Sequence, residues 1–156
     1  MPALDVDSFS LDPGGSAQLR VTLSAASLAP GQYEGFIRVF DTSSGSETHV
    51  PYWYAVPSDI PKYITVLDVH DGSSPGASVT DAVLFRITDA SGIALTNVEP
   101  EVTVVSGGGF LSSVKSRDRF IPGAFGVTLR LGPRRGSNVV RIQAGGVTRE
   151  VTISSR

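Results

Sequence analysis

The sequence predicts an all-β fold, and three observations carry that prediction. Apolar and polar residues alternate with period two in several stretches, as where Val127, Leu129 and Leu131 are separated by Thr128 and Arg130. Turn chemistry recurs between those stretches, supplied by 17 Gly and 10 Pro in 156 residues. No segment carries the 3.6-residue apolar period of an amphipathic helix. Charged residues make up 18% of the chain, below the ~25% of an average globular domain, which leaves little for solvated helix faces.

The first elements follow from these rules in order. Asp12-Pro13-Gly14-Gly15 is a turn, because Pro presets φ and Gly accepts positive φ. Leu19, Val21 and Leu23 then alternate with Arg20, Thr22 and Ser24, which predicts a half-buried strand. Leu28-Ala29-Pro30-Gly31 turns the chain into a strand over 33–40, with Tyr33, Gly35, Ile37 and Val39 on one face. The polar stretch 41–46 reads as a hairpin loop. The chain returns over 50–56 with Val50, Tyr52, Tyr54 and Val56 sharing a face. Pro51 has no N–H to give a ladder, so this strand is a sheet edge or begins there.

Pro57 and Pro61 bracket Ser58-Asp59-Ile60, and that punctuation predicts a domain boundary. The expected division is residues 1–57, a linker over 58–61, and a second domain over 62–156. In the second domain, strands are predicted over 63–69, 83–88, 101–105, 127–131, 139–144 and 147–153. Gly107-Gly108-Gly109, Pro122-Gly123, the run 132–138 and Gly145-Gly146 separate the later ones. Arg149 shares parity with the apolar Val147, Val151 and Ile153. Either a bulge re-aims it or it sits where the inner face meets solvent. Seven or so short strands with regular turns fit a β-sandwich.

Several function classes are excluded or weakened by composition. There is no cysteine, which removes disulfides, thiolate zinc sites and thiol nucleophiles together. No apolar run approaches the ~20 residues of a membrane span, so none is expected. The net charge of −2 conceals an asymmetry: residues 1–100 carry four basic side chains against twelve carboxylates, and residues 101–156 carry nine against three. The basic residues are scattered over strands and turns, with only Arg134 and Arg135 adjacent and no aromatic platform among them. That pattern reads as the solvated outer faces of strands, and no nucleic-acid partner is expected.

Two resemblances rest on particular residues. Leu28-Ala29-Pro30-Gly31-Gln32-Tyr33-Glu34-Gly35-Phe36-Ile37-Arg38-Val39, followed by Val50-Pro51-Tyr52, resembles the fibronectin type III-like domains that follow the catalytic domain of secreted subtilisin-like proteases. The match covers roughly residues 4–57, and other bacterial surface sandwiches share the pattern. Residues 62–154 are similar to bacterial immunoglobulin-like domains of the invasin and intimin kind. The residues that carry this are Phe85-Arg86-Ile87-Thr88-Asp89-Ala90-Ser91-Gly92, Val102 to Gly109, Gly126, Leu131-Gly132-Pro133 and Gly136-Ser137-Asn138-Val139-Val140. The resemblances imply two immunoglobulin-like or fibronectin III-like β-sandwiches, the first incomplete. They also imply a secreted or cell-surface location and a non-catalytic accessory or spacer role in a larger subtilisin-like serine protease. The alternative they leave open is a cell-surface adhesin or carbohydrate-binding module. The expected partners are other domains of the parent protein and a protein or polysaccharide substrate. About 57 residues fall short of the ~100 a seven-stranded sandwich takes, so the chain is expected to be a piece of a longer protein, with Met1 not its natural start.

Candidate sites are few. His49 and His70 lack the neighbours of a subtilisin-like catalytic domain, and no Gly-x-Ser-x-Gly elbow is present, so no catalytic residue is expected. Asp68, His70 and Asp71 lie within four residues at a strand end, but their spacing is not that of a calcium loop, and Asp at a loop entrance ordinarily shapes a turn. No cofactor or metal is expected. Gly107-Gly108-Gly109 lacks the Lys-Ser/Thr and helix of a phosphate loop and reads as a turn or as room for close backbone approach. The residues singled out are aromatic. If Tyr33, Gly35, Ile37 and Val39 face inward together with Val50, Tyr52 and Tyr54, a hairpin gathers Phe36, Phe40, His49 and Trp53 on its outer face. Such a face is either covered by a neighbouring domain or binds a ligand, for example by stacking on sugar rings.

Overall fold

The computed structural model describes residues 2–24 and 28–156. The described residues contain no helix, and the all-β expectation is met. Contacts divide the chain into two compact units, Met1–Val56 and Pro57–Arg156.

The first unit holds β1 (Ala3–Leu4), β2 (Val21–Thr22), β3 (Gly31–Phe40) and β4 (Glu47–Val56). They form two two-stranded antiparallel sheets, β1-β2 and β3-β4. The half-buried strand expected over 19–23 shrinks to two residues, and Val21 is exposed. A strand exists only where it finds a partner, and here the partner is the two-residue β1, extended by Asp5 N–H to the Arg20 carbonyl. By contrast β3 and β4 pair over ten residues each without a register shift, from Gly31 opposite Val56 to Phe40 opposite Glu47. Their loop is held by the Asp41 carboxylate, which accepts from the backbone N–H and hydroxyl of Ser43 and from the hydroxyl of Ser44. Those hydroxyls, Ser44 first, hold the Asp41 carboxyl well below the usual carboxylate range.

The second unit is a sandwich of seven strands: β5 (Tyr63–Val69), β6 (Ser78–Thr88), β7 (Glu101–Ser106), β8 (Phe110–Ser116), β9 (Ala124–Arg130), β10 (Gly136–Ala144) and β11 (Val147–Ser155). One sheet runs β5-β6-β9-β8 and the other β11-β10-β7. Lettered A to G along the chain, that is ABED against CFG, the strand arrangement of a constant-type immunoglobulin domain. The inner faces bury Val83, Phe85, Ile87, Val127 and Leu129 of the first sheet against Val140, Ile142 and Ile153 of the second. Phe85 and Phe125, directly opposite each other on β6 and β9, stack with ring centroids 5.6 Å apart.

Three bulges explain where period-two reading of this unit falters. On β5 the pairing skips Leu67, so Ile64, Val66 and Val69 all face the core although 66 and 69 are three apart. On β8 it skips Ser112, which aligns Leu111 and Val114 on the inner face. Their spacing hides β8 from an alternation search, and β8 is the strand that sequence reading missed. On β6 the shift falls between Val79 and Val83, around Asp81 in a left-handed conformation (φ 50°). No bulge occurs at Arg149, because β10 and β11 pair without a shift throughout. Arg149 faces the core side of an edge strand and is exposed, so the second of its two readings applies.

The basic surplus after residue 100 is partly absorbed by ion pairs with carboxylates. Arg141 sits opposite Glu150 and donates to its carboxylate at 2.8 Å, while Arg117 pairs with Asp81. Both members of the first pair are exposed, so Arg141→Met should change stability by less than ~1 kcal/mol in urea unfolding.

Candidate functional site

The long β3-β4 ladder decides the geometry of the aromatic face. Opposite residues share a face, and alternation then places Phe36, Phe40, His49 and Trp53 together, with Glu34, Arg38, Glu47 and Pro51 between them. Phe36 is 63% exposed, Phe40 61% and Trp53 58%, which is unusual for three large apolar side chains on one short ladder. The Phe36 and His49 rings meet diagonally across the strands, centroids 5.7 Å apart at 45°. His49 Nε2 lies 3.0 Å from Glu47 Oε1, and the Arg38 guanidinium approaches the same oxygen at 3.6 Å. The surface therefore offers aromatic planes beside a small cluster of mixed charge, a combination suited to a macromolecular contact or a sugar ring.

The opposite face of the hairpin is Tyr33, Gly35, Ile37 and Val39 with Val50, Tyr52 and Tyr54. These are half-buried except Val50, which is exposed near the loop end of the ladder although its parity predicts an inward position. Gly35 has a role there: a Cβ on it would come within 2.9 Å of the Tyr52 ring, so glycine makes room for that ring to lie across β3. The Tyr33 hydroxyl donates to the Ala29 carbonyl at 2.7 Å, which fastens the entry turn to the strand.

Solved structures supply the comparison. Domains 4–9 of the surface layer protein SbsC are similar to this chain at TM-score 0.51 and 20% identity, over 94% of this chain and 20% of that one. Domains 1–6 of SbsC match at 0.50 and 18%, over 93% and 18% respectively. The D00-D0 domain of intimin stands at 0.48 and 18%, over 99% of this chain and 75% of that one. The chain thus spans about a fifth of each SbsC structure. What is shared with SbsC is the fold. No family's sequence profile matches the chain, and no curated protein sequence matches it.

The other sequence candidates have structural assignments. The Asp71 carboxylate accepts the Ser154 N–H at 2.6 Å, and Gly72 N–H donates to the Ser154 carbonyl, so this loop ties the end of β5 to β11. Among the described residues no three His, Asp or Glu side chains gather as metal ligands would, around Asp68, His70 and Asp71 or elsewhere. Gly107-Gly108-Gly109 does provide close backbone approach. A Cβ on Gly107 would lie 2.6 Å from the Asn138 Cα, and one on Gly132 would overlap the Gly107 carbonyl oxygen. The buried Asn138 side chain accepts the Gly132 N–H at 2.8 Å within this junction.

Concave surface is modest. An open groove of about 620 Å³ is lined by Thr96, Asn97, Val98, Glu99, Val114 and Phe125, among others, and its one carboxylate, Glu99, has no second acid or base beside it.

In the sequence Asp89 opens the turn Asp89-Ala90-Ser91-Gly92 that closes its strand, and the structure adds a heavily bonded, buried setting. It is fully buried and accepts from the backbone N–H groups of Ser58, Ser91 and Ile93, each at 2.9 Å. Ser58, read from the sequence as linker, is thereby fastened into the second unit. Burial is the largest influence on this carboxyl and pushes its pKa up. The donors together outweigh burial and hold the pKa below the ordinary 3.8. The Asp-x-Ser-Gly pattern was the available signal, since Asp commonly caps its own turn.

Proposed function

We propose that this chain is a non-catalytic spacer and interaction module of a larger secreted or cell-surface protein. In this reading the sandwiches position neighbouring domains, and the outer face of β3-β4 contacts a macromolecule. The observation that carries the reading is the aromatic face: Phe36, Phe40 and Trp53 stand exposed on a regular ladder, where solvation alone gives no reason for them. The shared fold with a surface layer protein supports a surface location. The narrower reading of the parent as a secreted subtilisin-like serine protease rests on the Pro30-Gly31…Tyr33…Gly35 and Val50-Pro51-Tyr52 motifs. A subtilisin-like catalytic domain encoded upstream in the same reading frame would establish it, and its absence from the full-length gene would remove it.

The alternative, an adhesin or carbohydrate-binding module, is favoured by the same aromatic planes. Trp53→Ala tests the face itself. On a glycan array and against immobilised cell-wall polysaccharide, the wild-type chain should bind and Trp53→Ala should lose about tenfold or more in affinity. Stability should move by less than ~1 kcal/mol, because the side chain is mostly in water. Unchanged binding in Trp53→Ala would remove the ligand role from this face.

A further inference from the structure

The edges of the sheets are not alike. In the second unit each edge carries a feature that discourages another strand: bulges at Leu67 in β5, Val105 in β7 and Ser112 in β8, and the inward-facing Arg149 in β11. In the first unit β1 and β2 are two residues long. The open side of β4 is interrupted by Pro51. Asp41 N–H bonds the Ser46 carbonyl, and alternation from there makes Phe36–Pro51 a pair without mutual hydrogen bonds, so the proline nitrogen points away from β3. That leaves β3. It has ten residues and no proline or bulge, and among the described residues it pairs with β4 alone. By the same alternation, Glu34, Phe36, Arg38 and Phe40 turn their N–H and C=O groups to the open side.

We infer that β3 pairs antiparallel with β3 of a second copy of this chain, about a two-fold axis through Phe36. The occupant follows from the sequence of the edge. Pairing Phe36 with its own copy sets Glu34 opposite the second copy's Arg38, and Arg38 opposite its Glu34. Both outward charge pairs are then attractive and the two Phe36 rings meet on the aromatic face. The two other registers centred on an outward-facing charge, at Glu34 or at Arg38, put like charges directly opposite. Backbone parity agrees, since each of these residues directs its hydrogen-bonding groups to the open edge. The Arg38 guanidinium, mostly exposed and 3.6 Å from Glu47, is free to engage a second carboxylate. The first unit also has reason to associate: among the described residues the packed core cluster consists of second-unit residues, while Leu4, Val6, Phe9, Leu11 and the aromatic face are exposed. The result is a continuous four-stranded sheet, β4-β3-β3-β4, with an isologous interface.

This pairing is independent of what the aromatic face binds, and its test reads assembly rather than ligand. Sedimentation velocity on the full chain, from micromolar to millimolar, should show a reversible dimer. Arg38→Glu places two Glu–Glu contacts across the axis and should raise the dimer dissociation constant about tenfold or more. The double variant Glu34→Arg/Arg38→Glu restores both attractive pairs and should return to within about threefold of wild type. With no native cysteine, Phe36→Cys should form an intermolecular disulfide under mild oxidation, because hydrogen-bonded antiparallel pairs hold Cα atoms ~5.5 Å apart. Phe40→Cys, off the axis, should not. A chain monomeric throughout, or a dimer indifferent to the charge reversals, overturns the inference.

Discussion

Asp89→Ala should destabilise the second unit by about 3–5 kcal/mol, a large share of what a domain of this size has. The carboxylate accepts three backbone N–H groups in a fully buried position, and alanine leaves all three donors without their partner. Two of them, Ser91 and Ile93, shape the turn after β6, and the third fastens Ser58 to the same point. Asp89→Asn should cost less, since its amide oxygen can still serve Ser91 and Ile93 while its NH2 group faces the Ser58 donor. The two variants also separate in their pH dependence. The folded pKa lies below the unfolded value near 3.8, so the Asp89 contribution is fully present above that value and is lost as pH falls through the folded one. Urea unfolding followed by far-UV circular dichroism should show wild-type stability declining below about pH 4. In Asp89→Asn the part of the decline due to this group should be absent. Equal acid sensitivity in the two proteins would show that this carboxylate is not the group responsible.

Gly132→Ala should cost about 3 kcal/mol or more, although it adds a single methyl group. The φ at Gly132 is not in the left-handed region, so the penalty is steric and not conformational. The added Cβ overlaps the Gly107 carbonyl oxygen and lies 3.3 Å from the Asn138 side-chain oxygen. Backbone cannot rotate aside as a side-chain tip does, so the loops after β7 and β9 must separate. Separation also loosens the Gly132 N–H bond to the buried Asn138, leaving a desolvated acceptor. Thermal unfolding should fall by several degrees, with hydrogen exchange rising first at Gly132 and Leu131. A melting temperature within a degree or so of wild type would mean that the junction relaxes without cost.

The legible parts of this molecule are those set by local alternation. Tyr63–Val69 is bounded by residues the sequence itself marks, and the opposite faces of 33–40 follow from which way successive side chains point. The Gly107-Gly108-Gly109 stretch reads as a turn or as room for close approach, and the partners that make it the latter, Asn138 and the Gly132 region, come from distant parts of the chain. The failures share a cause. β8 was missed because Leu111 and Val114 are three apart, and only a bulge at Ser112 brings them to one face. The strand expected over 19–23 was overextended because its partner offers two residues. For the aromatic face, parity gave the grouping of Phe36, Phe40, His49 and Trp53, while their exposure and the His49–Glu47 contact required the folded chain.

Residue order alone settles the all-β class, the turns, and the inward or outward sense of each regular strand, because alternation and turn preference act within a few residues. It also sets the Glu34–Phe36–Arg38 pattern along one strand. Tertiary structure decides the rest: which strand keeps an open edge, where bulges realign broken alternation, and that Asp89 is buried and triply bonded. Those outcomes depend on pairing register and on the removal of water by segments far away in sequence. No local pattern encodes either.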